Sequence, residues 1–120
     1  MKDITNIEQY LQYIHDIDID IKMAKDELDY FKSINYSSAS ERRILELEND
    51  IAQKTVDKCE FAIMCEKLPH KLHRTIMKRY YILRQSYREI AKSVYMCDRS
   101  IRNHHDNAVI ELAAIIANNK

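Results

Sequence analysis

The sequence predicts an all-α protein, and three observations carry that prediction. Its 120 residues contain no glycine and one proline, 46% of them are apolar and 32% charged, and the apolar residues recur at helical spacing. Tight hairpin turns and phosphate-cradling loops draw on the positive φ that glycine supplies, so both are disfavoured here. Amphipathic helices are then the natural way to bury a core. The expected architecture is a long N-terminal helical hairpin or coiled coil followed by a C-terminal trihelical helix-turn-helix.

The first helix opens at Thr5-Asn6-Ile7-Glu8, which has the form of a capping box. A regular heptad follows, with Ile7, Ile14, Ile21 and Leu28 at one core position and Tyr10, Ile17, Ala24 and Phe31 at the other. Asp20 with Lys25, and Glu27 with Lys32, have the spacing for charge pairing across a parallel dimer. Ser33 to Ala39 is a polar break, with Ser38 and Glu41 as a second capping box. A second long helix runs to about Lys67 along Ile44, Leu47, Ile51, Val56, Cys59, Ala62 and Cys65. A link this short favours an antiparallel hairpin, which can close on itself or pair with a second copy.

Leu68-Pro69 marks a boundary, because proline disfavours helical geometry in the residue before it and suits the first turn of the next helix. A third helix is expected from Pro69 to Tyr80, a short helix from Ser86 to Ser93, a turn over Val94 to Cys97, and a final helix from Asp98 to about Ala117.

Charge divides the chain. Residues 1–66 hold eight Lys/Arg against fifteen Asp/Glu, whereas residues 67–105 hold ten against two. The basic segment is the footprint expected of phosphate neutralisation, and the acidic one would be repelled by the same backbone. Residues 1–67 are therefore read as an acidic hairpin or oligomerisation region, and residues 68–120 as a basic DNA-binding domain. The partners expected are double-stranded DNA and a second copy or higher homo-oligomer through the N-terminal helices.

Within the basic domain, Ile90, Val94, Met96 and Ile101 are spaced to form a small core, and Ala91 sits where two crossing helices approach closely. That core would aim the first turns of the last helix, carrying Asp98, Arg99, Arg102 and Asn103, into a major groove. Arginine can present two donors to guanine, asparagine can bridge adenine N6 and N7, and aspartate can accept from cytosine N4. Lys78, Arg79, Arg84, Arg88 and Lys92 would flank the groove and supply affinity. Of His104 and His105, one is expected in the packing and the other at a phosphate.

Cys59, Cys65 and Cys97 make an odd count without framework spacing, so reduced thiols are expected. Cys59 and Cys65 with His70 and His73 fit no common zinc-finger spacing. No nucleophile with a base, phosphate loop or carboxylate dyad stands out, so an enzyme, a cofactor and a metal are not expected. With no apolar run of about 18 residues and no basic-then-apolar leader, neither a membrane span nor secretion is expected, and the cytoplasm is.

Arg79-Tyr80, then Ser86-Tyr87-Arg88-Glu89-Ile90-Ala91, then Asp98-Arg99-Ser100-Ile101-Arg102, then Ala108 and Leu112, resemble the fourth conserved region of bacterial sigma factors. The stretch is similar in particular to the sigma-like C-terminal domains of small phage transcriptional regulators of the RinA/ArpU type. This resemblance implies a regulator that binds a phage or prophage promoter region and activates late or packaging genes. It implies contacts to bases and phosphates from Asp98, Arg99, Arg102 and Asn103, and backbone contacts from Arg79, Ser86 and Arg88. With Lys92, Ser100 and His105, these make up the expected DNA-binding set. The sequence departs from the family at Tyr95, where glycine is usual, and at Cys97, where a capping Ser or Thr is usual; Asp98 could replace that cap. Two other functions also fit the sequence: a small-terminase-like packaging protein, and a module that binds RNA polymerase without touching DNA.

Overall fold

The computed structural model of the chain describes residues 6–34 and 37–118. Five helices follow one another: α1 (Ile7–Ile34), α2 (Ser38–Cys65), α3 (Lys71–Tyr81), α4 (Tyr87–Val94) and α5 (Asp98–Asn118). Among the described residues there is no strand, and no helix is long and apolar enough to cross a membrane. Packing divides the chain into two units, one of Asp16–Cys59 and one joining the residues up to His15 with Glu60 onward. The change of charge near residue 67 is thus a boundary of composition, while contact groups the outer ends of both long helices with α3–α5.

The caps differ by one residue from those expected. Thr5 lies outside the described residues, and Asn6 holds the start of α1: its Oδ1 accepts from the Gln9 amide at 3.2 Å and its carbonyl accepts from Tyr10 at 3.1 Å. Ser37, not Ser38, caps α2, with its Oγ accepting from the Ser40 amide at 3.3 Å and its carbonyl from Glu41 at 3.1 Å. Each arrangement satisfies amide donors that a helix N-terminus otherwise leaves unpaired.

In the unit Asp16–Cys59, α1 and α2 run antiparallel. Arg43, near the start of α2, donates from Nε and Nη2 to the two Glu27 carboxylate oxygens at 3.0 and 3.1 Å, and Lys58, near its end, donates to Asp18 at 2.6 Å. These half-exposed pairs fix direction more than they add stability. Glu27 is thereby engaged within the chain. All eight heptad positions of α1 are at least half-buried, with Ile14, Ile17, Ala24 and Leu28 fully so. Ala24 and Leu28 pack with Leu47, flanked by Phe31, Ile44 and Ile51.

The expected stripe of α2 holds at Ile44, Leu47 and Ile51 and again at Ala62 and Cys65, but not at Val56 and Cys59. Val56 is 48% exposed and Cys59 is also exposed, whereas Asp57 and Phe61 are buried. A five-residue step from Ile51 to Val56 turns roughly 140° round a helix, away from the inner face. The inner stripe passes instead through Lys54 and Asp57 to Phe61, Met64 and Cys65. Asp57 accepts from Gln53 Nε2 at 2.9 Å, so its burial is compensated.

In the other unit, Phe61 meets Tyr10 and Tyr81, with ring centroids 6.1 and 5.5 Å away. After Pro69, His70 takes an extended conformation (φ −102°, ψ 127°) and α3 begins at Lys71, two residues later than expected. A compact core of Ile76, Ile90, Ala91 and Ile101, ringed by Leu72, Tyr80, Tyr87, Val94 and Met96, fastens α3, α4 and α5 to one another.

Candidate nucleic-acid interface

Two non-glycine residues with positive φ, Arg84 (57°) and Tyr95 (59°), stand at the connections that set the angles of α4. At the first, Leu83 donates back to the Lys78 carbonyl at 3.1 Å and Gln85 to the Arg79 carbonyl at 2.9 Å, while Arg84 donates to the His15 carbonyl. Ser86 then caps α4 with a complete capping box: its Oγ accepts from the Glu89 amide at 3.2 Å, and its own amide donates to Glu89 Oε1 at 3.1 Å. Ser86 therefore positions α4. A hydroxyl that accepts still has a proton to donate, so a phosphate contact is compatible with this role.

At the second connection, Tyr95 takes the left-handed conformation (φ 59°, ψ 45°) in which glycine is usual. Met96 donates to the Ala91 carbonyl at 3.0 Å and packs into the α3–α5 core, the bond and the apolar contact that mark a Schellman ending. The Tyr95 side chain is 95% exposed, so nothing in the core would be lost with it. The departure from glycine leaves the turn geometry in place at the cost of an unfavourable backbone conformation.

Cys97 supplies the carbonyl that accepts the Ile101 amide at 3.2 Å, which makes it, and not Asp98, the residue at the cap of α5. Its sulfur donates to Ser100 Oγ at 3.3 Å, and hydrogen bonding with the Ser100 side chain holds the thiol below its ordinary range. Ser100 is half-buried and its hydroxyl accepts from that sulfur, which leaves its own proton free to donate.

From this start, α5 separates its faces sharply. Ile101, His105, Ala108, Leu112 and Ile116 are buried, whereas Asp98, Arg99, Arg102 and Asn103 are exposed, two residues on each of two successive turns of one face. On α4, Arg88 and Lys92 are exposed one turn apart, with Ile90 and Ala91 buried between them. The structure thus places six of the ten expected contact residues on the surfaces of α4 and α5. Arg79 is half-buried, its Nη1 donating to Gln85 Oε1 at 3.2 Å, which directs its guanidinium toward the connection before α4.

His105 must be withdrawn from the DNA-facing set. It is 8% exposed, with Nε2 2.7 Å from the Tyr81 hydroxyl and Nδ1 3.3 Å from that of Tyr87. Its place one turn along the stripe that begins at Ile101 turns it inward. His104 does not take over the phosphate role either: it is half-buried, with Nδ1 3.2 Å from His73 Nε2, and His73 Nδ1 is 2.5 Å from Glu111 Oε1. The carboxylate accepts, so His73 donates from Nδ1. Among the described residues no group of three or more His, Cys, Asp or Glu side chains is placed to hold a metal ion.

One contributor was missed in the sequence. Tyr87 carries Arg102 over its ring and stacks on Tyr80 with centroids 4.7 Å apart and planes 5° from parallel; Tyr80 in turn stacks on His15 at 5.0 Å. The pairing of residues 87 and 102 depends on the crossing angle of α4 and α5, for which spacing along one helix gives no signal. A cavity of about 560 Å³ lies beside the buried end of this stack, lined by Leu11, His15, Tyr80, Tyr81 and His105 among others, and contains none of the exposed α4 and α5 candidates.

No known protein family, curated protein or solved structure matches the chain.

Proposed function

We propose that this protein is a sequence-specific double-stranded DNA-binding regulator of transcription. In this reading α3–α5 form a helix-turn-helix of the sigma region-four kind, and Asp16–Cys59 is a helical hairpin for assembly or partner contact. The observation that carries it is the two-faced start of α5: Asp98, Arg99, Arg102 and Asn103 are exposed together while the opposite face is packed on α3 and α4. Those four side chains suit base edges in a major groove. Arg88 and Lys92 on α4 supply the charge that holds a phosphate backbone. The excess of basic residues over 67–105 supports the same assignment. On the resemblance to phage regulators, the targets are promoter regions of phage or prophage late genes, with RNA polymerase as a second partner.

Selection of bound duplexes from a random library by the full chain tests this reading. Enrichment of one sequence motif, with footprints at the matching promoter regions of the natural host, is the expected result. Recovery of unenriched duplex, or no duplex at low salt, would rule the reading out.

A further inference from the structure

The outer face of α2 carries a second apolar repeat, distinct from the one used inside the chain. Leu45, Asn49, Ala52, Val56 and Cys59 alternate in steps of four and three, and all five are exposed. Three-four alternation is the seam of a two-stranded coiled coil, with Asn49 and Val56 at a and Leu45, Ala52 and Cys59 at d. In sequence the same register begins at Arg42 and runs on to Ile63. Leu45 and Val56 are 59% and 48% exposed, so this repeat has no apolar partner within the chain.

We propose that α2 pairs through this face with α2 of a second copy, in parallel and in register, to form a homodimer.

Three features favour a second copy of the chain over an unrelated occupant. A β-branched residue at a with leucine at d favours two parallel strands, and a single buried asparagine at a specifies register by bonding to its own copy. The flanking positions carry little repulsion: in the parallel arrangement Glu48 faces Gln53, and Glu41 faces Glu46, whose charge is offset by Arg43 at 3.3 Å. The unit itself is also thinly packed. Ile17, Ala24, Leu28 and Leu47 are its buried apolar residues among those described, too small a core for two helices to stand on alone. The outer face of α1 also exposes Ile19, Met23 and Tyr30, but Asp26, paired with Lys22 at 2.7 Å, stands within it and breaks the apolar repeat.

The proposal is independent of DNA binding and makes a geometric demand. Parallel in-register pairing sets each Cys59 opposite its own copy, within the roughly 4–7 Å Cα separation a disulfide needs. Two thiolates would be oxidised to one disulfide, with the two electrons passing to an added oxidant such as oxidised glutathione.

The test combines sedimentation of the full chain with thiol oxidation. The expected results are a dimer in sedimentation, a covalent dimer on oxidation of the Cys97→Ser variant, and none from Cys59→Ser. Val56→Glu should raise the dimer dissociation constant roughly a hundredfold, because it buries an unpaired charge in the seam. Should Val56→Glu unfold, Asn49→Val provides a second reading: the dimer should persist with added higher oligomers. A monomer, a crosslink that forms only through Cys97, or a dimer that survives Val56→Glu and is broken by Met23→Glu would each overturn the proposal.

Discussion

The guanidinium of Arg102 lies over the ring of Tyr87, its Cζ 5.5 Å from the ring centroid. This contact joins Arg102, which the proposed function assigns to base reading, to the first residue of α4. A cation held over a ring keeps its in-plane N–H donors free to form a planar fork, so the contact aims Arg102 without using the groups that guanine would need.

Tyr87→Leu should therefore keep the fold and lose aim. An exposed cation–π contact contributes about 0.5–1 kcal/mol, which predicts a roughly two- to fivefold loss of cognate affinity. Tyr87→Phe should retain it. Competition binding against random duplex checks this, and equal affinities for the Leu variant and the parent would show that the ring does not position Arg102.

Tyr95→Gly should stabilise the protein. The left-handed conformation costs a non-glycine residue about 1–2 kcal/mol, and glycine returns some of that through its greater freedom when unfolded. Since the Tyr95 side chain is exposed, a net gain of about 0.5–1 kcal/mol is expected in urea unfolding. A loss of stability would mean that the tyrosine side chain supports the turn.

Phe61→Ala should destabilise the unit that contains α3–α5, although Phe61 belongs to the acidic part of the sequence. The ring is fully buried against Tyr10 and Tyr81, and a truncation of this kind costs about 3–5 kcal/mol. Amide exchange should accelerate in α3 as well as at the end of α2. Unchanged protection in α3 would separate the long helices from the C-terminal unit.

Stability should fall at alkaline pH. Burial raises Tyr81 above its ordinary 10.0, and raises Tyr87 and Cys65 to about 12. These groups are neutral when protonated, so the folded chain holds its protons more tightly than the unfolded chain. Their contribution is fully present below about pH 9 and is lost as pH rises through the folded values near 12. Urea midpoints measured from pH 7 to 12 should be flat and then drop, less steeply in Tyr81→Phe. A midpoint that rises above pH 9 would contradict this sign.

The element pattern was legible because each boundary has a local cause. Ser86 with Glu89 opens α4, Pro69 prevents α2 from running into α3, and Ile90, Ala91 and Ile101 recur where a crossing needs them. What was illegible depends on partners far along the chain. Val56 and Cys59 look like core by composition and face outward by angle, because α2 carries two apolar stripes and periodicity alone does not say which is inner. His105 looked like a phosphate contact until Tyr81, twenty-four residues away in sequence, came within 2.7 Å of it. The place of the Tyr87 ring beneath Arg102 gave no signal, since it depends on how α4 and α5 cross.

The measurement that bears most directly on the central claim is a salt-titrated binding series on cognate and scrambled duplexes with Arg102→Ala, Asn103→Ala and Lys92→Ala. Loss of a bidentate base contact should cost roughly 1–3 kcal/mol on the cognate duplex alone, which narrows the gap between the two sequences. Lys92→Ala should weaken both equally and make the salt dependence shallower. If Arg102→Ala and Asn103→Ala both keep the parent's discrimination while their helicity is intact, α5 does not read sequence and the assignment fails.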